Sequence, residues 1–455
     1  MIYFLVKIFA FDKLFRCDRM CCYAESSIIG ECTLTNKRRI KEVKELKNAV
    51  VKKIIRLYLF LAGGEALATS LASAIFVIFL IERGGLDLFE VSIVFLASAG
   101  TVFVLEIPTG VIADVFGRKS SCVYSYFLTS LGLFVFAISD SLFAFVIAAI
   151  ILATRSALIS GASEAWLVDS LKHNSYSGNL ISILTKENQV IYSAGIVGAL
   201  AGAFLADKDI TIPFVIGGFV MLLVGTVAAI LMKEEYFVRE KFSFRTGIQS
   251  MKETVKISVA YGRNNKTVRF ILLMGLAQSI TVKISIIQYQ PFFFRFFPNK
   301  ASLGFLLMAI GIATIAGATL SSWFLSKLQN PRKALVTLQI AIGLGVLIAG
   351  VSAVLLPPLI ALPIALSAFL FFNSAGGAFA PINGEYLNEN IPSKERATLI
   401  SFKSMAYGIG SATGLIFGGY IAEMFSISIL WMLAGGLLVI FSLIMRNNSK
   451  RTEVT

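Results

Sequence analysis

Histidine is almost absent from this 455-residue sequence. The single histidine, His173, lies in a polar stretch between two apolar runs. Histidine metal sites and His-dependent catalytic triads both need imidazole groups, so the sequence argues against both. Charged residues are also scarce, at 15% of the chain, whereas soluble domains carry about a quarter. This composition argues against a water-soluble domain.

Cysteine and phosphate-binding signals are equally sparse. Four of the five cysteines precede the first long apolar run, with a C-x3-C-C-x9-C spacing that fits none of the usual zinc patterns. The fifth, Cys122, is expected to pack inertly in an apolar stretch. The segment "FGRKSS" resembles a P-loop only superficially, because an arginine stands before its lysine and the glycine spacing is wrong. We therefore expect no metal, no cofactor, no ATP hydrolysis and no enzymatic activity.

Long apolar runs dominate the sequence. Hydrophobic residues make up 56% of it, and its mean hydropathy is +0.79. In hydrocarbon, backbone polar groups must be satisfied internally, so runs long enough to cross a bilayer are helices. The sequence therefore predicts an all-α polytopic membrane protein, with an irregular entry at "LLPPLIALP". The twelve predicted spans are 54–80, 88–113, 119–138, 142–170, 180–206, 211–232, 267–295, 301–326, 333–353, 355–388, 397–424 and 426–446.

The net charge of +14 is distributed unevenly. With the N-terminus inside, 31 of the 41 Lys and Arg residues lie in or beside the cytoplasmic segments from residue 37 onward. The opposite loops hold four: Arg83, Lys208, Arg295 and Lys300. This bias follows the positive-inside rule and predicts a cell-membrane protein with both termini in the cytoplasm. It explains the basic charge without nucleic-acid binding.

A polar segment divides the spans into two sets of six. Residues 233–266 are the predicted cytoplasmic linker between an N-terminal bundle, 54–232, and a C-terminal bundle, 267–446. Residues 447–455 form a tail, and residues 1–53 an N-terminal cytoplasmic extension that includes a basic amphipathic helix. Two interpretations stay open for the first 20 residues of the extension: a poorly ordered or upstream-start segment, and a segment lying on the membrane surface.

The segment "GVIADVFGRK" between spans 2 and 3 matches motif A, G-x-x-x-D-x-x-G-R-K, of the major facilitator superfamily. The matching residues are Gly110, Asp114, Gly117, Arg118 and Lys119. With its two halves of six spans, the chain resembles this superfamily. The stretches "EIPTG", "SGASEAWLVDSL" and "IPSKERATLISFKSM" resemble a prokaryotic branch of drug and small-molecule efflux permeases. The resemblance implies a monomeric transporter in the lipid bilayer that moves small molecules by alternating access.

Motif A also has a physical interpretation. Asp114 lies at the C-terminal end of span 2, where the helix dipole disfavours a negative charge unless cations compensate it. Arg118 and Lys119 can supply that compensation, and Asp169 at the inner end of span 4 is a second partner for Arg118. We interpret the cluster as a latch that holds the halves together in the outward-open state and must break for inward opening. The alternative is a solvated loop that follows the positive-inside rule.

Several ionisable residues fall within the predicted spans or near their ends. At the bilayer centre, inserting one charged residue costs about 2.5–3.5 kcal/mol, so each of these residues needs a reason to be there. They are Glu65, Glu106, Arg155, Lys283 and Glu385. Glu65 is the leading proton-coupling candidate, because burial between helices disfavours its charged form. The alternative is permanent neutralisation by Arg155 or Lys283. Arg155 partly resembles the arginine of the family's motif B, and Lys283 either sets the charge of the cavity or forms a structural pair.

Three functions follow from these expectations. The first is proton-coupled efflux of small amphipathic molecules. The second is uptake or facilitated diffusion of a small polar or anionic solute by the same fold. The third, which motif A and the intramembrane charges disfavour, is a non-transporting membrane sensor.

Overall fold

The structure is a computed structural model that describes residues 32–234, 265–390 and 396–452. Within these ranges, the description leaves out the side chains of residues 32–47, 106–116, 396–398, 401 and 447–452. The chain divides into two compact units, Met1–Lys52 and Lys53–Thr455. The interpretations of the first 20 residues and of most of the linker concern segments outside the described residues.

The described residues form fourteen α-helices and no strand. The helices are α1 Cys32–Ser73, α2 Phe76–Gly84, α3 Leu88–Phe116, α4 Arg118–Ile138, α5 Leu142–Ile159, α6 Ala162–His173, α7 Leu180–Ala206, α8 Ile212–Leu231, α9 Lys266–Phe294, α10 Ala301–Leu328, α11 Pro331–Leu355, α12 Pro358–Glu389, α13 Arg396–Met424 and α14 Ile427–Thr452.

These helices confirm the predicted all-α membrane architecture. Among the described residues, eleven helical segments are long and apolar enough to cross a bilayer. Helix α13, with 29 residues, lies where the sequence predicts span 11. The irregular entry expected at "LLPPLIALP" is shorter than predicted. It is confined to Leu356 and Pro357, because Pro358 opens α12 in the first turn, where proline costs no hydrogen bond.

Two predicted spans are each built from two helices. Span 4 is divided between α5 and α6 at Gly161, whose φ of +74° lies in the left-handed region that favours glycine. Span 1 is divided between α1 and α2 after Ser73. There the side-chain amide of Gln290 in α9 donates to the Ser73 carbonyl at 2.7 Å and accepts from Val77 N–H at 2.8 Å. A single glutamine therefore satisfies backbone groups on both sides of this break.

The alternating direction of the spans gives the bundle of Lys53–Thr455 two ends. The basic end carries Gly117, residues 174–179 and residues 329–330; the far end carries residues 85–87, 139–141, 207–211, 295–300, 356–357 and 425–426. The positive-inside rule predicts that the basic end faces the cytoplasm.

The two halves contain equivalent helices, and these cross-pair at the interface. Helix α3, the second span of the first half, packs on α13, the fifth span of the second half. Helix α7, the fifth span of the first half, packs on α10, the second span of the second half. The same kind of contact is thus made twice, as expected for parallel repeats in this type of transporter.

Small residues allow some helices to approach very closely. A Cβ atom at Gly202 of α7 would meet the backbone carbonyl of Leu71 in α1. Membrane helices pack through such small residues because their backbones must approach closely to gain van der Waals contact.

We expect Gly202→Ala to destabilise the purified protein by about 1–3 kcal/mol, because its methyl group would overpack against backbone that cannot rotate aside. Gly311→Ala is the matched control, since no atom lies within 4 Å of its added Cβ and alanine favours a helix. Thermal unfolding in detergent measures both variants. Equal melting temperatures would contradict this account of α1–α7 packing.

Candidate functional site

The turn between α3 and α4 is held by a carboxylate at the end of the first half. Gly117 has φ +92°, and α4 begins directly after it. The carboxylate of Glu234 accepts hydrogen bonds from Arg118 N–H at 2.8 Å and from Lys119 N–H at 2.9 Å. A carboxylate at a helix N-terminus satisfies free N–H groups and opposes the helix dipole, which contributes about 1 kcal/mol.

Glu234 also explains why glycine suits this turn. A Cβ atom at residue 117 would lie 2.6 Å from Oε2 of Glu234, in addition to the strain of a positive φ. The neighbouring Lys233 carbonyl accepts a hydrogen bond from Trp166 Nε1 at 3.0 Å. Two consecutive residues after α8 are therefore attached to α4 and α6.

The Arg118 side chain joins the same turn to α6. Its guanidinium forms an ion pair with Asp169 and donates to the Ala165 carbonyl at 3.0 Å. Both charged side chains are about one-third exposed, at 32% each. They border a cleft of about 360 Å³ lined by Arg118, Gly161, Glu164, Ala165, Val168, Asp169 and Lys172. The pairing of Arg118 with Asp169 is present, while its role in a latch stays a prediction.

Three further sequence candidates lie on α3. Glu106, Gly110 and Asp114 occupy its last three turns, but their side chains lie outside the described residues. Lys119, in contrast, is half-exposed at the start of α4. The contacts of Asp114 with Arg118 or with α13 thus remain expectations of the sequence.

An ion pair lies inside the first half. The Arg155 guanidinium of α5 binds the Glu65 carboxylate of α1, and their side chains are 19% and 21% exposed. Two glycines precede Glu65 in α1. A Cβ atom at Gly63 would lie 2.7 Å from Val190 of α7, and one at Gly64 would lie 2.6 Å from Val224 of α8. These glycines bring α7 and α8 close to α1 beside the acid.

A second intramembrane acid was missed by sequence reasoning. Tyr58 of α1 is buried and donates its hydroxyl to Oε1 of Glu187 in α7 at 2.6 Å. Glu164 and Glu65 lie close enough to Glu187 to interact with it electrostatically. The sequence contains only weak indications of this contact. Glu187 is the only acid in α7, and Tyr58 precedes Glu65 by two helical turns, on the same face of α1.

The second half contributes a cation at the interface between the halves. Lys283 of α9 is half-buried, and its ammonium nitrogen lies 5.8 Å from the centroid of the Phe95 ring in α3. This distance is typical of a weak cation–π contact across the interface. Glu385, by comparison, is exposed on α12 near the basic end.

The comparison with protein families decides the class of this protein. The family model described as Major Facilitator Superfamily matches residues 58–372 and 299–454, which together cover most of the sequence. The chain belongs to the Major Facilitator Superfamily. This member is therefore a multi-pass membrane transporter, as motif A and the two six-span halves predict.

Individual relatives agree with this assignment. The chain is 25% identical over 380 residues to the "Uncharacterized MFS-type transporter YxaM" of Bacillus subtilis (strain 168), over 83% of this chain and 91% of the relative. The nucleoside transporter NupG aligns with a TM-score of 0.69 at 12% identity, over 87% of this chain and 98% of NupG. A POT family transporter in complex with 5-aminolevulinic acid aligns with a TM-score of 0.63 at 12% identity, over 87% of this chain and 96% of that transporter. These structural similarities establish the fold alone.

We expect Gly117→Ala to be about 1 kcal/mol more destabilising than Gly161→Ala. Both substitutions place a side chain at positive φ, but only residue 117 would displace the Glu234 carboxylate, since no atom lies within 4 Å of a Cβ at residue 161. Thermal unfolding of the two variants measures the difference. In a Glu234→Ala background the difference should disappear; if it persists, Glu234 is not its cause.

Proposed function

We propose that this superfamily member is a proton-coupled secondary transporter that exports small amphipathic molecules across the cell membrane. The observation that carries the proposal is the Glu65–Arg155 ion pair inside the first half. Charges inside a membrane span are costly and usually serve the pathway of the substrate or of the coupling ion.

The pair can exchange its partners during transport. While Glu65 is ionised, Arg155 neutralises it and no unpaired charge is buried at this position. Protonation of Glu65 removes the negative charge and leaves the Arg155 guanidinium free to bind another acceptor. The two protonation states therefore favour different arrangements of α1 and α5, which is what coupling requires.

Glu187 is a further candidate to carry a proton. Among the described side chains its hydrogen-bond partner is the neutral Tyr58 hydroxyl, with no cation in ion-pair contact. Its position on α7 places it on one of the helices that pack across the interface to the other half. A proton shared between Glu65 and Glu187 would connect the ion pair with this interface.

Export as the direction of transport is supported by sequence resemblance. The "EIPTG" and "SGASEAWLVDSL" stretches resemble efflux permeases, whereas NupG is a nucleoside transporter. We also propose that Asp114, Arg118 and Asp169 form a latch at the basic end, which faces the cytoplasm. The Arg118–Asp169 pair and the Glu234 contacts support this by fixing the position of the turn.

Transport of a small polar or anionic solute is the second candidate function, and Lys283 favours it. This ammonium group faces Phe95 across the interface, and among the described side chains it has no acidic partner within ion-pair distance. An unneutralised cation at the interface of the halves would attract an anionic or zwitterionic solute, because Coulomb attraction is strong where water is excluded.

We expect Glu65→Gln to abolish solute movement driven by a pH gradient while leaving cargo binding intact. The amide mimics the protonated carboxyl but can neither gain nor lose a proton. Transport into proteoliposomes under an imposed pH gradient, with binding assayed separately, measures the effect. The cargo is first identified by a thermal-shift screen of the purified protein against a chemical library.

Asp140→Asn provides the control for this measurement, because Asp140 is an exposed acid in a far-end loop. A Glu65→Gln transporter that still responds fully to the gradient would show that the ion pair is structural. In that case Glu187→Gln becomes the variant to measure for loss of coupling.

We expect Lys283→Gln to separate the two candidate functions. If the cargo is anionic or zwitterionic, the substitution weakens its binding about ten-fold or more, because it removes a half-buried charge. If the cargo is an uncharged amphipathic molecule, its affinity stays within about two-fold. Equilibrium binding to wild type and variant at matched ionic strength decides between them.

A further inference from the structure

At the far end, a carboxylate of the first half caps a helix of the second. Asp207 follows the last residue of α7, and its two oxygens accept hydrogen bonds at the start of α10. The donors are Lys300 N–H at 2.6 Å and Ala301 N–H at 3.2 Å. These N–H groups belong to the helix start, where no carbonyl of the preceding turn is available to them.

An equivalent contact is made with the two halves exchanged, so that a carboxylate of the second half caps a helix of the first. Glu423, in the last turn of α13, accepts a hydrogen bond from Leu88 N–H at the start of α3, at 3.1 Å. Helices α7 and α13 are the fifth spans of their halves, and α10 and α3 are the second spans. In each half, therefore, a carboxylate at the end of the fifth span caps the second span of the other half.

Each of these helix starts also has a side-chain hydrogen bond from within its own half. Helix α3 has its own cap, because Asp87 Oδ1 accepts from Glu90 N–H at 2.7 Å. Helix α10 likewise has Asn299, whose Oδ1 accepts from Ser302 N–H at 3.2 Å. The carboxylates from the other half bind different N–H groups, those of Lys300, Ala301 and Leu88, and they can do so only while the halves are close together.

Neighbouring contacts show that the halves are in close contact at this end. A Cβ atom at Gly304 of α10 would lie 2.8 Å from Ala203 Cβ in α7, and one at Gly419 of α13 would lie 2.7 Å from Ser92 Cβ in α3. Lys300 also forms an ion pair with Glu82 at 3.0 Å. Both cross-pairs of helices are thus closely packed within about one turn of the carboxylates.

We propose that Asp207 and Glu423 are paired gate residues of the transport cycle, an inference that rests on the proposed transport function. In the structure they hold the far end shut. For cargo to pass that end, α7 must separate from α10 and α13 from α3, and both carboxylates must exchange their N–H partners for water. Both side chains are exposed, so water reaches them as soon as the contact opens.

The paired arrangement has a quantitative consequence. Each cap contributes to the same open–closed equilibrium, so the two effects multiply. A helix cap of ordinary strength changes such an equilibrium about five-fold, so loss of both caps shifts it roughly 25-fold towards the open far end.

The test measures distances between spin labels in lipid nanodiscs, in the absence of cargo and of a pH gradient. Labels are placed on exposed residues at the far end and at the basic end, in a background whose four N-terminal cysteines are serine. The far-end pair is Asp140 with Leu359, and the basic-end pair is Ser177 with Lys327. In Asp207→Ala/Glu423→Ala, we expect the ratio of long to short far-end distances to rise roughly 25-fold, with the opposite change at the basic end.

The matched control is Asp209→Ala/Glu90→Ala. Asp209 is an exposed far-end acid and Glu90 a half-exposed one, and their hydrogen bonds stay within one half: Asp209 with Thr211, and Glu90 with Asp87. The hydrogen bonds from Thr211 lower the pKa of Asp209, so the control also removes a negative charge at neutral pH.

Unchanged distances in the double gate variant, or an equal shift in the control, would overturn the proposal. If the double variant is not obtained as folded protein, the single variants are measured instead, and each is expected to give about a five-fold shift. Because the distances are read without transport, a failed gate is distinguished from a failed assignment of proton coupling.

Discussion

Backbone N–H groups at helix starts need hydrogen-bond acceptors, and much of this structure depends on how they obtain them. Hydrocarbon offers none, so the acceptors must come from the protein or from the polar ends of the bundle. Here they come from distant side chains: Glu234 for α4, Gln290 for α2, Asp207 for α10 and Glu423 for α3. These hydrogen bonds fix where helices begin and which helices lie beside them.

Two of the described ion pairs lie within one half, whereas other polar contacts cross the interface between the halves. The Arg118–Asp169 and Glu65–Arg155 pairs both lie entirely within the first half. The described hydrogen bonds and ion pair that join α3 to α13, α7 to α10 and Glu82 to Lys300 at the far end instead link a side chain to backbone, or a lysine to a glutamate. Within-half pairs can persist while the halves move, whereas the crossing contacts must be exchanged. This division suits a protein whose halves rock against each other.

Sequence patterns predicted the helical architecture well because apolar length determines where a chain can cross a bilayer. Helix α7 begins and ends at the predicted residues 180 and 206. The break at Ser73 was missed, since the segment "LASAIF" contains neither glycine nor proline. What stabilises that break is a glutamine more than 200 residues away, which no local pattern reveals.

The candidate site shows the same limit. Arg118 and Asp169 could be predicted as partners, because they carry opposite charges and lie at the same end of the bundle. Glu65 could be predicted as a candidate, because it is an acid within an apolar helix. Glu234 and Asp207 could not be assigned, because their partners are backbone N–H groups that look alike in every sequence. The Tyr58–Glu187 contact joins residues 129 positions apart, which only the packing of α1 on α7 brings together.

The attachment of Lys233 and Glu234 has a practical consequence for labelling this transporter. Segments between the halves are attractive places to insert a fluorescent or fiducial protein, since both six-span units would keep their own sequence. In this molecule the first half does not end with α8 at Leu231 but three residues later, at the Glu234 carboxylate that caps α4. An insertion that begins immediately after Met232 would separate that carboxylate from its helix, whereas one that begins after Glu234 leaves the first half whole.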